Sequence, residues 1–215
     1  MFNLTELPPK LPIFPLDGVL LLPRTRLPLN VFEPRYLAML DDVLKSSHRM
    51  IGMVQPRETP KGTSETALQQ IGCAGRVTSF SETEDGRYLI TLSGISRFRL
   101  RDRDDGFCPY ISANVDWSSF TADKGVHELD HAFDRPKFLK TLSRFFKAAS
   151  LSTDWDSLKD ADEELLINSL SMLCPFESAE KQALLEAPNL ANRRETLTTL
   201  MEFALAGDPK EDPIQ

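Results

Sequence analysis

Residues 11–40, LPIFPLDGVLLLPRTRLPLNVFEPRYLAML, decide how this chain reads. The segment sets short apolar runs between prolines and then changes period. VLLLP (19–23) is an apolar run bounded by proline and polar residues, which predicts a strand. At Pro34 the pattern turns helical, because proline suits a first helical turn where its missing N–H is not needed. Tyr36, Leu37, Leu40, Val43 and Leu44 then recur at helical spacing. A helix placed between strands in this way is expected to cover one mouth of a small barrel.

Reading outward, RMIGMV (49–54) predicts the next strand. GRVTSF (75–80) and RYLITL (87–92) flank residues 81–86, which end in Asp85-Gly86, a pair that accepts positive φ, so a hairpin is expected. Gly94 separates RYLITL from SRFRLRDR (96–103), which suggests a meander. FCPYISANV (107–115) closes the series, with Tyr110, Ser112 and Asn114 on one face and Ile111, Ala113 and Val115 on the other. Residues 117–133 are polar and without a sustained period, as a junction would be. Beyond them the period is helical. Phe138 to Ala149 form one face, and Leu158, Ala161, Leu165, Leu166, Leu170 and Leu173 form a second, stopped by Pro175. A third helix is expected from Ser178 as N-cap, and a fourth from about Leu190 to Gly207. The expected class is α+β: a β-rich lobe over 9–116, a junction over 117–133, a helical lobe over 134–207 and a frayed tail over 208–215.

Composition sets the outer bounds. At 215 residues, 41% hydrophobic and 27% charged, the chain is globular and long enough for one large domain or two lobes. No run approaches the roughly 18 apolar residues of a membrane span. The start, MFNLTELPPKLPIF, lacks a signal peptide's basic flank and long apolar stretch, so a cytoplasmic location is expected. The net charge of −7 is unevenly placed. Residues 1–116 carry 14 basic and 14 acidic residues, whereas 117–215 carry 11 and 18. That balance disfavours nucleic acid, whose phosphates need a positive footprint. Cys73, Cys108 and Cys174 form no Cys-x-x-Cys pair and read as small buried apolar residues.

Several short motifs, in order, resemble the N-terminal substrate-binding domain of Lon proteases. They include Leu11-Pro12-Ile13-Phe14-Pro15-Leu16, Leu27-Pro28-Leu29, Phe32-Glu33-Pro34-Arg35-Tyr36 and Ile51-Gly52-Met53-Val54-Gln55-Pro56. Further along are Ile71-Gly72-Cys73-Ala74-Gly75-Arg76-Val77, Gly94-Ile95-Ser96-Arg97-Phe98 and Glu180 to Glu186. The resemblance runs from about residue 9 to 206. It implies a PUA-like β pseudo-barrel followed by a helical bundle, and a non-enzymatic module, akin to small stand-alone bacterial members. The expected partners are polypeptides, unfolded or tagged, or a protease or chaperone served as an adaptor, with no cofactor. No GxxxxGK[ST] phosphate loop is present, and a serine–lysine protease domain is not expected.

Four constellations carry possible chemistry. Leu27, Pro28, Leu29, Val31 and Phe32 are expected either in the barrel core or along a groove for extended peptides. Glu33, Arg35 and Tyr36 join them as candidate contacts at a helix start, where the plainer reading is an ion pair beside a packed ring. Arg97, Arg99, Arg101 and Arg103 alternate along one strand, either as a phosphate-binding stripe or as a solvated face neutralised by Asp102, Asp104 and Asp105. The stripe would support the alternative of RNA or nucleotide binding. His127-Glu128-Leu129-Asp130-His131 matches H-E-x-x-H, which needs both histidines on one face of a continuous helix. Here the match falls in the expected junction, so His127 and His131 are only remote metal candidates, and incidental surface histidines are the plainer reading.

Overall fold

A computed structural model describes residues 7–57, 67–104 and 106–207. The chain divides into two compact units, Met1–Val126 and His127–Gln215. The architecture is α+β, with one six-stranded sheet and several helices.

In the first unit the strands are β1 (Lys10–Pro15), β2 (Arg26–Val31), β3 (Met50–Val54), β4 (Ile71–Glu82), β5 (Tyr88–Asp104) and β6 (Ile111–Asp116). They lie in the order β2-β5-β4-β3-β1-β6, and β5 also pairs with β6, so five strands close on themselves. β1 and β3 are parallel, joined through helix α1 (Pro34–Lys45), while the other pairs are antiparallel. Closure depends on the length of β5. Its first part holds β2 and its last part, from Arg99 on, pairs with β6 across a register shift between Leu100 and Arg103. The core includes Leu11, Ile13, Met50, Val54, Leu68, Ala74, Phe98, Ala113 and Val115. Trp117 packs edge-on to Phe98 at 5.7 Å and donates its indole N–H to Pro8 O at 3.0 Å.

Two strand expectations need correction. RYLITL and SRFRLRDR are one strand, because Gly94 does not interrupt β5. VLLLP is not a strand. Leu20, Leu21 and Leu22 are buried without strand pairing, in a strap laid across the sheet. The strap seats where Gly75 and Gly94 are register partners on β4 and β5. A Cβ on Gly94 would stand 2.0 Å from Leu22 O, and one on Gly75 would stand 2.7 Å from Leu21 Cδ2. Gly94 is therefore there for the close approach of the strap backbone, and Gly75 leaves room for the Leu21 side chain. The hairpin joining β4 and β5 forms as expected, with Gly86 at φ 75°.

The stretch 117–133 does not behave as one junction. Ser118–Lys124 forms a 3-10 segment of the first unit, with Phe120 and Asp123 buried. Asp123 explains why. Arg97 is buried, contrary to a solvated strand face, and its guanidinium donates to Asp123 at 2.7 and 2.9 Å. The same carboxylate accepts the Arg97 backbone N–H at 2.8 Å, and Phe120 lies under the guanidinium at 4.7 Å. The other arginines of the row lie nearer solvent. Arg101 pairs with Asp116 at 2.6 Å, and Arg99 reaches Gln70 at 3.4 Å. Asp105 lies outside the described residues.

The second unit holds α2 (Arg135–Ala148), α3 (Trp155–Asp160), α4 (Glu163–Leu173), α5 (Ser178–Glu186) and α6 (Leu190–Gly207). α2, α4 and α5 each pack on α6. The expected single helix through Leu158–Leu173 is broken at Ala161. Asp162 caps α4 by accepting from Glu164 N and Leu165 N at 3.0 and 3.2 Å, and Arg135 takes the terminal carbonyls of α3. The N-cap of α5 is Glu177 rather than Ser178, with the Glu180 carboxylate accepting its N–H at 2.8 Å. Cys73 and Cys174 are buried, and burial pushes the Cys174 thiol up to about 12. Cys108 is exposed, against expectation. The tail over 208–215 lies outside the described residues.

Candidate functional site at the edge of the first sheet

β2 is the edge strand of the sheet, paired to β5 along one side. It carries Pro28, which lacks a ladder donor and is at home on an edge. The register sets Leu27 opposite Leu92, Leu29 opposite Ile90 and Val31 opposite Tyr88, so these side chains share a face. Burial varies along the strand. Val31 is buried, Leu27 and Leu29 are half-buried, and Pro28 is exposed. Phe32, just past the strand, is 62% exposed, and Arg87 lies over its ring at 5.8 Å.

The β4–β5 hairpin adds apolar residues that the sequence reading did not single out. Phe80 is 41% exposed and meets Tyr88 edge-on at 4.8 Å, while Leu89 is 45% exposed. The available signal was length. The arms of 12 and 17 residues outrun the five-residue β3, so beyond Arg76 the β4 arm, which carries Phe80, pairs with β5 alone. Leu89 is registered opposite Asn30, two residues from exposed Phe32, whereas Phe80 lies on β4, separated from β2 by β5.

The α1 entry is built for support. Glu33 is the N-cap residue, but its carboxylate pairs with Arg35 at 2.8 Å instead of capping backbone N–H groups. The Arg35 guanidinium stacks over Tyr36 at 4.5 Å, and Tyr36 packs on Phe14 at 4.3 Å between ring centroids. Burial, the largest influence, pushes the Tyr36 phenol above its ordinary range. Val31 and Tyr36 are thus core residues and cannot line a groove, a correction to their candidacy. Leu27, Pro28, Leu29 and Phe32 remain accessible, with Glu33 and Arg35 beside them. Asp41 accepts from Tyr88 at 3.3 Å and Asp42 from Tyr110 at 2.9 Å, which ties α1 to the strands.

The H-E-x-x-H stretch lies outside helix, so its two histidines are not set at helical spacing. Its side chains have other partners within the second unit. His127 Nδ1 lies 2.9 Å from the buried Glu164 carboxylate, Glu128 accepts the Leu190 N–H at 2.7 Å, and Asp130 pairs with Arg194. Among the described residues no group of three or more His, Cys, Asp or Glu is arranged to hold a metal ion.

Comparison with known proteins matches residues 10–202 to the ATP-dependent protease La (LON) substrate-binding domain. Lon protease 2 of Syntrophobacter fumaroxidans is 25% identical over 197 residues, 91% of this chain and 24% of that protein. Lon protease 2 of Sorangium cellulosum is 28% identical over 107 residues, 49% of this chain and 13% of that protein. The chain therefore spans a quarter or less of the length of these relatives. Two solved structures share the fold. A Lon N-terminal domain protein from Xanthomonas campestris has a TM-score of 0.58 at 22% identity, covering 88% of this chain and 97% of its own. The N-terminal domain of a Mycobacterium avium complex Lon protease has a TM-score of 0.63 at 15% identity, covering 90% and 98%.

Proposed function

The chain belongs to the Lon substrate-binding domain family, and we propose that it binds polypeptide, taking extended, unfolded segments along the open edge of β2. The observation that carries this reading is an edge strand whose end is flanked by exposed Phe32, with exposed Leu89 on the adjacent strand β5. An added strand would gain main-chain hydrogen bonds without regard to sequence, and the apolar side chains would favour segments normally hidden in a folded core. Catalysis is no part of the reading, since the matched region of the relatives is their substrate-binding domain. Service as an adaptor to a protease or chaperone in the cytoplasm is the finer form of the same proposal.

The test is fluorescence anisotropy with a permanently unfolded probe, reduced and carboxymethylated lactalbumin. Burying one phenylalanine contributes about 1.5–3 kcal/mol, and 1.4 kcal/mol is tenfold in affinity. Phe32→Ser combined with Leu89→Ser is expected to weaken binding at least tenfold. Equal binding by variant and parent, or equal binding of native lactalbumin, would reject the edge as the site.

A further inference from the structure

The second unit carries a groove of about 440 Å³ lined by side chains from the end of α2, from α3 and from α4. Its floor is apolar, with Phe146, Leu158, Leu166 and Leu170. On its rim Leu165 is 50% exposed and Leu173 79% exposed. They stand eight residues apart on one face of α4, with Ser169 between them. Two leucine knobs about a turn on either side of a small residue make a ridge with a notch, the relief into which a second helix packs. α4 has 11 residues and is about 16 Å long, enough to seat three turns of a partner helix.

The charge around the groove selects the partner. Residues 151–163 contain Asp154, Asp156, Asp160, Asp162 and Glu163, of which Asp156 pairs with Lys159 at 2.8 Å and Asp154 and Asp162 cap α3 and α4. With Lys159 and Arg135, whose guanidinium sits on the last carbonyls of α3, the surroundings still hold more acid than base. A second copy of this chain, at net −7, would meet that rim with like charge. We propose that the groove docks an amphipathic helix with a leucine-rich face and basic flanks, at a surface separate from the β2 edge. The apolar face fills the notch at Ser169, and the lysines or arginines reach the acidic rim. This docking does not depend on the binding of extended segments proposed above.

Three synthetic 18-residue peptides serve as probes in anisotropy titrations of the full chain: a leucine–lysine amphipathic helix, its scrambled form and a leucine–glutamate counterpart. The leucine–lysine helix is expected to bind at least tenfold more tightly than either of the others. Ser169→Trp, which fills the notch, is expected to weaken it at least tenfold, and Leu173→Lys does so independently where the first variant fails to fold. Phe107→Ser, an exposed residue outside both surfaces, leaves it unchanged. Binding unaffected by both groove variants, or equal binding of the scrambled peptide, overturns the proposal. So does self-association in sedimentation that Ser169→Trp abolishes, or a small apolar molecule retained in native mass spectra of the parent alone. Absence of lactalbumin binding by the parent chain, with the leucine–lysine helix still bound, would reject the edge site and leave the groove standing.

Discussion

Arg97 and Asp123 form a buried, multiply bonded pair in the first unit. Both side chains are 1% exposed, and the carboxylate accepts from the guanidinium and from the Arg97 N–H. A buried pair of this kind adds little against an apolar substitute, yet loss of one partner strands a buried charge. Asp123→Ala is therefore expected to lower the unfolding free energy by about 3–5 kcal/mol, read as a lower urea midpoint at unchanged slope. Arg97→Met combined with Asp123→Leu should lose less than the two single changes together. A shift below about 1 kcal/mol for Asp123→Ala would mean that the pair does not hold the 3-10 segment.

Among the elements, α6 depends on a residue outside any helix. Glu128 accepts the Leu190 N–H, so the acidic residue that would act as general base in an H-E-x-x-H helix serves here as a helix cap. Glu128→Ala is expected to cost about 1 kcal/mol in a thermal or urea melt. If the stretch held zinc instead, the purified protein would contain metal that His127→Ala removes, and elemental analysis decides between the two. The α3–α4 break belongs to the same scale. Asp162 and Arg135 satisfy the ends of two short helices, and the groove exists because the chain turns there.

For the whole molecule, charge decides which partners are plausible. The net charge is −7, and the arginine row divides among a buried pair, Asp116 and Gln70. A labelled single-stranded RNA is therefore expected to give no salt-dependent anisotropy change at low salt, whereas a response that falls steeply with added salt would restore the nucleic-acid reading. Among the described residues no helix is long and apolar enough to cross a membrane.

The sequence by itself determined which segments are strands and which are helices wherever the period was sustained. α1, α2 and α6, the 81–86 hairpin and the alternation in β6 were all legible, because local spacing alone sets which face of an element is apolar. It also determined the family, through short motifs spread along most of the chain. Only the tertiary structure decided what each apolar or charged residue meets. VLLLP is as apolar as a strand, yet it is a strap, because two glycines distant in sequence and adjacent in the sheet leave room for it. Arg97 has the same spacing as Arg99 and Arg101, yet it is buried, because Asp123 comes to it from 26 residues away. Val31 and Tyr36 look like their neighbours in the candidate groove, yet they are core, while Phe32 and Phe80 are left exposed. Burial depends on partners far along the chain, and local pattern does not carry that information.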